Sequence, residues 1–283
     1  MISKRLKNAL LSFTVAATMA ATLLSPISAK AEVLQTQQMQ SATTLLMGAP
    51  IESSIPSMDE SDHDFYSFTM PGSGYVIFSV ENMEFVSEHQ DGWRMLIYNS
   101  AGTELKEYHN PNDSQISKSG RYNFKRGDTL YIRIAPKYPS TVNKTYAISA
   151  SFTGTTSWES EANDDFSTAT YLAAGKARCG TSYIAYDKDY YSFVPKGGTG
   201  TRKVKLNFSL ATAIKETNGN QDSFEISIFD STKKEICKTP GNITKNYSIS
   251  FSVTPGKKYY ILVTSHGSNA VDALYKLKIA YKK

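Results

Sequence analysis

A short acidic segment holds the residues of this sequence best suited to chemistry. Residues 158–165 read Trp-Glu-Ser-Glu-Ala-Asn-Asp-Asp, and four oxygen donors fall within six positions: Glu159, Glu161, Asn163 and Asp164. Calcium is a hard cation that takes about six to eight oxygen ligands from carboxylates, amides and the backbone. The segment is therefore predicted to bind calcium, and a solvated acidic linker is the other interpretation of the same composition.

The acidic segment needs further ligands from the residues that follow it. Thr181, Asp187 and Asp189 precede or open a stretch, 189–193, that reads Asp-Tyr-Tyr-Ser-Phe and is typical of a strand. If the segment folds against this strand, a bound cation removes the mutual repulsion of the acids. We therefore predict that Thr181, Asp187 and Asp189 complete the metal site.

The sequence segments around this site occur twice in the chain. Residues 61–71 contain Asp-Phe-Tyr-Ser-Phe, and residues 186–195 contain Asp-Tyr-Tyr-Ser-Phe. Further blocks match in the same order: 42–46 with 168–172, 93–102 with 224–233, 125–134 with 254–263, and 145–150 with 274–279. Five blocks at offsets of 125 to 131 residues indicate an internal duplication.

Composition and turn chemistry favour an all-β fold. The chain has 18 Tyr and 13 Phe, and its short apolar stretches are separated by turns rich in Gly, Asn and Pro. We predict two tandem antiparallel β-sandwiches of jelly-roll type, over 42–153 and 154–283, after a flexible stretch at 32–41. The tyrosines that recur between the copies are interpreted as packing residues: Tyr66, Tyr146, Tyr191 and Tyr275.

The N-terminus has the pattern of a secretory signal peptide. A basic start is followed by an apolar stretch at 10–24 and a small-x-small site, Ala29-Lys30-Ala31. Cleavage after Ala31 predicts an extracellular protein, free or associated with the cell wall, and a retained N-terminal anchor is the alternative. Residues 1–31 hold four of the 31 basic residues and none of the 26 acidic ones, so the mature chain is nearly neutral. Nucleic acid and, after cleavage, membrane are not expected as partners.

Two features bear on covalent chemistry. Cys179 and Cys237 both lie in the second copy, where they could form a disulfide or remain two reduced thiols. The four histidines are scattered, and no metalloprotease, serine-hydrolase or phosphate-binding motif is present. The enzymatic alternative is a glycosidase that uses Asp187 and Asp189 as its two carboxylates. A non-catalytic protein is predicted.

The motifs resemble those of the bacterial pre-peptidase C-terminal domain, a family that includes the collagen-binding domains of clostridial collagenases. The resemblance rests on Glu-x-Asn-Asp before Ser-Thr-Ala-Thr-x-Leu, then Asp-x-Asp-Tyr-Tyr-Ser-Phe, and it covers both copies. It implies a jelly-roll β-sandwich that is not itself catalytic and usually accompanies a secreted peptidase.

The same resemblance implies a calcium ligand set. Glu159, Glu161, Asn163 and Asp164 match the family's linker, Asp189 matches the acid that opens the strand, and Thr181 matches a hydroxyl position. Asp187 is displaced by one residue, because Tyr186 takes the expected place of an acid. The first copy has no linker acids and keeps only Asp59, Asp62 and Asp64, so no site is expected there.

The expected partner is an extracellular polymer, either a matrix protein or a glycan, bound by a monomer. An accessory role beside a secreted peptidase is the alternative. Collagen is not expected, because the family's collagen-contacting tyrosines correspond here to Thr264 and His266, and to Ala135 and Lys137 in the first copy. Other exposed aromatics, Trp158 or Tyr138, could contact a different ligand.

Overall fold

The structure is a computed structural model that describes residues 34–84, 92–109, 115–182, 184–211, 223–267, 270 and 272–281. The predicted signal peptide, residues 1–31, lies outside these ranges. No helix within them has the length and apolar character that a membrane crossing requires.

The described residues form eighteen β-strands. The first half contains β1 (Thr43–Thr44), β2 (Ile51–Ser54), β3 (Asp64–Thr69), β4 (Gly74–Asn82), β5 (Trp93–Tyr98), β6 (Glu104–His109), β7 (Ile116–Lys118), β8 (Thr129–Pro136) and β9 (Thr145–Gly154). The second half contains β10 (Thr170–Tyr171), β11 (Ala177–Thr181), β12 (Lys188–Phe193), β13 (Arg202–Leu210), β14 (Ser223–Phe229), β15 (Glu235–Lys238), β16 (Tyr247–Val253), β17 (Tyr259–His266) and β18 (Leu274–Tyr281). Short 3-10 turns lie at Glu60–Asp62 and Pro139–Thr141.

The two halves have the same strand order. Their five-stranded sheets are β1-β3-β8-β5-β6 and β10-β12-β17-β14-β15, and their four-stranded sheets are β2-β9-β4-β7 and β11-β18-β13-β16. Strands β10 to β18 of the second half thus correspond in order to strands β1 to β9 of the first. All pairs are antiparallel except β1 with β3 and β10 with β12. The predicted fold class, two tandem antiparallel β-sandwiches, is confirmed; the exact domain boundaries stay a prediction.

Each pair of sheets encloses its own hydrophobic core. Phe68 and Phe78 meet edge to face across the first core, with ring centroids 5.8 Å apart. Phe208 and Phe224 meet across the second, at 5.4 Å. Burial alternates along β4, where every second residue faces the core, as the two-residue period of a strand requires. Burial of these aromatic faces drives the pairing of the sheets.

The stretch before β1 differs from the flexible N-terminus that its polar composition predicted. Residues 34–40 form a helix, α1. Met39 is buried against Phe65, Leu96 and Tyr98 on the outer face of the first sandwich, and the Gln38 side chain donates to the carbonyl of Glu60 at 2.9 Å. Glutamine is a good helix former, and the helix contacts the first sandwich through Met39 and Gln38.

The two cysteines are unpaired in the structure. Cys179 lies on β11 and Cys237 on β15, which belong to different sheets of the second sandwich. Of the two alternatives that the sequence left open, the structure therefore has the reduced thiols.

Candidate metal centre

The acidic segment is held in place by backbone hydrogen bonds to both sandwiches. The Glu159 N–H donates to the carbonyl of Cys179 on β11 at 2.9 Å, and the Glu161 N–H donates to the carbonyl of Asn123 at 2.8 Å. Asn123 belongs to the first sandwich, just before β8. The segment is thus a shared strip at the junction of the two halves.

The extended backbone sorts the side chains of this strip into two sets. Successive residues of an extended chain point to opposite sides. Glu159, Glu161 and Asn163 are buried at 3%, 0% and 0% exposure, whereas Ala162 and Asp164 are exposed. Three of the four donors, Glu159, Glu161 and Asn163, are therefore on the buried side of the strip, and Asp164 is not.

The far end of the strip is anchored to the sheet that carries β12. The carbonyl of Asn163 accepts a hydrogen bond from the Tyr190 N–H at 2.8 Å. The Asp165 carboxylate accepts from the backbone of Ser167 at 2.6 Å and closes a turn. The next residue, Phe166, packs on Tyr190 with ring centroids 4.7 Å apart. These contacts fix the direction in which the acidic side chains point.

The buried face of the strip meets β11 and β12. Thr181 ends β11, and Asp189 is an inward-facing residue of β12, exposed by only 1%. Glu159, Glu161 and Asp189 each offer a carboxylate oxygen, and these oxygens lie within 4.8 Å of one another. Three carboxylates, two from the strip and one from β12, therefore converge on one buried point.

The carboxylate of Glu159 accepts hydrogen bonds on both of its oxygens from other groups of the protein. Its Oε1 accepts a hydrogen bond from the Thr181 N–H at 2.7 Å, and its Oε2 accepts from the Tyr275 hydroxyl at 2.9 Å and from the Tyr191 hydroxyl. The Tyr275 hydroxyl oxygen also lies 2.6 Å from Oδ2 of Asp189, so its single proton is shared between the two carboxylates. The two tyrosines thus fix the orientation of the carboxylates from the core side.

The oxygens on the other side of the cluster have no partner. Among the described residues, all side-chain oxygens that are buried without a hydrogen bond lie here: Asn123 Oδ1, Glu161 Oε1, Asn163 Oδ1, Thr181 Oγ1 and Asp189 Oδ1. An oxygen removed from water without a replacement partner costs about 1–3 kcal/mol, and buried polar atoms are normally paired. This arrangement fits a cation that is bound through oxygen.

The charges of the cluster favour the same conclusion. Burial, and then the charges of Glu159 and Asp187, raise the pKa of Glu161 and of Asp189 well above its usual range. Burial also raises the pKa of Glu159. None of the three converging acids forms an ion pair with lysine or arginine among the described residues. A divalent cation would supply the missing positive charge.

Two residues of the predicted site lie apart from the unpartnered oxygens. Asp187 is buried, and its Oδ1 accepts a hydrogen bond from the Lys188 N–H at 3.0 Å. It lies close enough to raise the pKa of Glu161 and Asp189, but it is not one of the three acids whose oxygens converge. Asp164 is exposed, on the opposite face of the strip. The structure thus brings five of the seven predicted residues to one point, with Asp187 beside them.

The corresponding place in the first sandwich is filled differently. Asp64 aligns with Asp189, and its Oδ2 accepts hydrogen bonds from Ser53 at 2.7 Å and from Tyr146 at 2.5 Å. Of the other two acids there, Asp59 is exposed, and Asp62 accepts a hydrogen bond from Ser57 at 2.6 Å. In the first sandwich the Ser53 hydroxyl occupies the place that the Glu159 carboxylate occupies in the second.

A glycine makes room for the linker acid in the second sandwich. Gly180 lies opposite Tyr275 in the ladder, as Ser53 lies opposite Tyr146. A Cβ atom at Gly180 would come 2.5 Å from the Tyr275 hydroxyl oxygen and 2.6 Å from that of Tyr191. The glycine therefore lets both hydroxyls approach the strand and turn toward Glu159.

Three residues of this centre were not identified from the sequence. Tyr191 and Tyr275 were interpreted as packing residues, and they are buried, but their hydroxyls also orient the acids. A signal for both was present, because Tyr191 recurs as Tyr66 two residues after the strand acid and Tyr275 recurs as Tyr146 in the closing strand. Asn123 had no signal, because it lies far from the acidic segment in the sequence.

A groove lies beside the acidic strip, between the two sandwiches. Its volume is about 330 Å³, and its lining includes Trp158, Tyr171, Arg178 and Lys125. Tyr171 is 48% exposed. Arg178 Nε donates to the carbonyl of Tyr171 at 3.1 Å, and neither Arg178 nor Lys125 has a carboxylate partner among the described residues. The groove thus combines aromatic faces with uncompensated positive charge.

The burial of Asp187 and Asp189 argues against their use as the two carboxylates of a glycosidase. Asp187 and Asp189 are exposed by 2% and 1%. A glycosidase needs its two carboxyl groups on either side of a sugar bond, and a sugar cannot enter between buried side chains. The pair therefore does not have the geometry of a glycosidase centre.

Comparison with known proteins gives distant likenesses only. No protein-family profile matches the sequence, and no curated protein is significantly similar to it. Among solved structures, the pre-peptidase C-terminal domain of a collagenase from Bacillus anthracis is 15% identical over 38% of this chain and 93% of its own, with a TM-score of 0.30. The CUB1-EGF-CUB2 fragment of human MASP-1/3 is 11% identical over 83% of this chain and 99% of its own (TM-score 0.25). PNGase F, a glycosylasparaginase from Flavobacterium meningosepticum, is 10% identical over 83% and 96%, respectively (TM-score 0.28). Likenesses this distant decide nothing about function.

Proposed function

We propose that this chain is a secreted, non-catalytic binding protein whose second β-sandwich is stabilised by a calcium ion. One observation carries the proposal: the buried carboxylates of Glu159, Glu161 and Asp189 converge without an ion pair, and buried oxygens without a hydrogen-bond partner belong to Glu161, Asn163, Thr181 and Asp189. Such a cluster destabilises the fold when it holds no cation. Binding of a cation would turn the same cluster into a stabilising centre.

The donor set favours calcium among the common metals. Every candidate ligand atom is a carboxylate, amide or hydroxyl oxygen, which suits hard cations, and no histidine or cysteine is among them. Magnesium keeps several of its waters and prefers a strict octahedron, whereas calcium accepts many protein oxygens in flexible geometry. A buried cluster with several converging protein oxygens therefore fits calcium better than magnesium.

The proposed ligands differ in their expected weight. Glu159, Glu161, Asn163, Thr181 and Asp189 form the centre. Asp187 is assigned the role of an adjacent charge that strengthens the field at the ion. Asp164 faces solvent, so any contribution from it is expected to be small.

The proposal includes the type of module. Both sandwiches are taken as domains of the pre-peptidase C-terminal type, because the same motifs recur in each half. The repeated strand order supports this, as do the matched tyrosine pairs, Tyr66 with Tyr146 at 2.7 Å and Tyr191 with Tyr275 at 2.8 Å. In this reading, only the second copy has gained the acids of a metal centre.

The binding partner is proposed to be an extracellular polymer that occupies the groove beside the metal centre. Trp158 and Tyr171 offer ring faces on which a sugar can stack, and Arg178 and Lys125 offer charge to an acidic group. A polysaccharide with acidic sugars matches both properties. The groove is lined by residues of both sandwiches, and we propose that the polymer contacts both.

Calcium binding is tested by titration and by thermal melting of the mature chain. We expect calcium to bind with one site per chain and to raise the melting temperature, and we expect chelator to reverse the rise. Magnesium should act more weakly. The matched control is Asp62→Asn, which removes an exposed acid of the first sandwich and should leave the calcium effect intact. Identical melts with calcium and with chelator would refute the metal part of the proposal.

Polymer binding is tested separately on immobilised polygalacturonate, peptidoglycan, cellulose and collagen. We expect retention on an acidic polysaccharide and a loss of at least about tenfold in affinity for Tyr171→Ala. The control is Tyr247→Ala, which removes another partly exposed tyrosine of the second sandwich. Failure of the protein to bind any of the four polymers would count against the binding role, whatever the outcome with calcium.

A further inference from the structure

We propose that the first sandwich completes the metal centre of the second by supplying Asn123 as an oxygen ligand. The inference rests on the proposed calcium site and extends it to a residue outside the module that carries the acids. Asn123 is completely buried, and its side-chain oxygen has no hydrogen-bond partner, whereas its side chain is close enough to the Glu159 carboxylate to lower the pKa of that group. A buried amide oxygen is normally paired, and this one has no partner in the protein.

The backbone around Asn123 directs its side chain toward the strip. Tyr122 and Phe124, on either side of it, belong to the core of the first sandwich. In extended chain the residue between them points the opposite way, which is out of that core. On that side the Asn123 carbonyl accepts the Glu161 N–H at 2.8 Å, and Phe124 forms a parallel bridge with Glu161. Asn123 therefore faces the acidic strip at close range.

The equivalent residue of the second sandwich provides an internal comparison. Tyr122 pairs with Val76 as Phe251 pairs with Val204, which makes Ser252 the counterpart of Asn123. Ser252 is exposed. A polar side chain at this position thus lies in solvent when nothing covers it. Asn123 is buried because the acidic strip covers it, which ties its environment to the metal centre.

The electrostatics of Glu159 agree with this placement. Burial raises the pKa of Glu159, and polar groups around the carboxylate lower it, with the Tyr191 hydroxyl first and the Asn123 side chain among the others. Asn123 is therefore near the carboxylate that the two tyrosines orient. An amide oxygen there would add a neutral ligand, which does not increase the repulsion among the acids.

A second contact holds the halves together near the same place. Lys106 of the first sandwich forms an ion pair with Asp272 of the second at 2.7 Å, and the Asp272 N–H donates to the carbonyl of Ser182, next to Thr181. This contact between the halves does not involve the acids of the strip. A metal ligated from both sides would add to it, so the affinity for calcium and the docking of the sandwiches would be coupled.

The test uses the full mature chain, calcium as the probe, and two leucine substitutions. Asn123→Leu keeps the approximate volume and removes the amide, and we expect calcium affinity to fall at least about tenfold. Asn82→Leu removes a second fully buried asparagine of the first sandwich, remote from the strip, and should bind calcium like the unaltered chain. Equal affinity of Asn123→Leu and the unaltered chain would overturn the inference and leave the calcium site standing. Absence of binding to the unaltered chain would overturn the site itself, and the inference with it.

A second measurement does not depend on the folding of a variant. In the unaltered chain with labelled asparagine, the side-chain amide resonances of Asn123 should shift on addition of calcium, while those of Asn82 stay in place. If calcium binds and the Asn123 resonances do not move, the residue is not a ligand.

Discussion

The hydroxyl of Tyr275 lies 2.6 Å from Oδ2 of Asp189, and this hydrogen bond has a counterpart in the other half of the molecule. Tyr146 donates to Oδ2 of Asp64 at 2.5 Å. Both bonds join the two sheets of a sandwich, from β18 to β12 and from β9 to β3. The tyrosine–aspartate pair therefore belongs to the common sandwich, and the candidate metal centre is an addition built onto it by the acids of the strip.

Removal of the tyrosine hydroxyl should affect the two sandwiches differently. Tyr275→Phe removes the one hydroxyl donor that Glu159 and Asp189 share, and Tyr146→Phe removes a donor from Asp64. Each change should lower the free energy of unfolding of the metal-free protein by about 1–3 kcal/mol, because a carboxylate that is buried (Asp189) or half-buried (Asp64) loses a hydrogen bond. Only Tyr275→Phe should also weaken calcium binding, by about 10–100-fold, as loss of an orienting partner does.

Tyr146→Phe is the matched control for Tyr275→Phe, because it removes the equivalent hydroxyl from the sandwich without the metal centre. Urea unfolding measures the stabilities, and calcium titration measures the affinities. Equal calcium affinities for the two variants would mean that Tyr275 does not orient the ligands.

Neutralising a buried acid should have opposite effects with and without metal. Glu161 is fully buried among other acids, and its pKa is raised by burial and by Glu159 and Asp187. Glu161→Gln removes this repulsion, so the metal-free protein should melt at a higher temperature than the unaltered chain. The same change removes a ligand, so the rise in melting temperature with calcium should disappear.

Thermal melts in chelator and in calcium measure both effects. The exposed Glu235 on β15 supplies the control, because Glu235→Gln should change neither melt. If Glu161→Gln lowered the stability in chelator and kept the calcium effect, the carboxylate would have a structural role instead.

The sequence was sufficient to predict the all-β class and the duplication, because strand patterns and turn residues are local signals. It also identified the acids, because four oxygen donors fall within six positions of one segment. Composition could not predict that these acids are buried, because burial depends on the surface that covers them. That surface comes partly from the first sandwich, through Asn123, which is distant in sequence.

The roles of Tyr191 and Tyr275 show a second limit. A tyrosine in a core strand is predicted equally well as a packing residue and as a hydrogen-bond donor, and the choice depends on what its hydroxyl meets. Here Gly180 decides it, because the absence of a side chain lets the two hydroxyls approach Glu159. A glycine in a strand interior is a sequence signal for close approach, and it could have pointed to this place.

Substitution of Gly180 tests whether the close approach of the two tyrosines is required. A Cβ atom there would lie 2.4 Å from the Tyr275 ring and 2.6 Å from the Tyr191 hydroxyl, and both tyrosines are held in the core. Gly180→Ala should therefore destabilise the protein by about 1–3 kcal/mol and weaken calcium binding. Gly72→Ala is the control, because a Cβ atom at Gly72 meets nothing within 4 Å. Equal denaturant midpoints for the two variants would show that the tyrosines can yield.

A pH dependence is expected from a residue remote from the metal centre. His63 is 8% exposed, and its Nδ1 accepts a hydrogen bond from Arg133 Nε at 2.9 Å. Burial, followed by the charge of Arg133, lowers its pKa from 6.5 to about 4, against a smaller raising effect of Glu60 and with a further lowering by Arg94. The histidine is therefore neutral in the folded protein over a range where it is protonated in the unfolded chain.

The direction of the effect follows from proton binding. Between about pH 6.5 and about pH 4 the unfolded chain binds more protons at His63 than the folded protein does, so stability falls as the pH falls. Allowing for partial solvation, we expect a loss of about 2 kcal/mol across this window. His63→Gln should not show this loss. Urea unfolding of both proteins in chelator isolates it, because the acids of the metal centre titrate alike in both. Parallel stability curves for the two proteins would show that His63 titrates normally in the folded state.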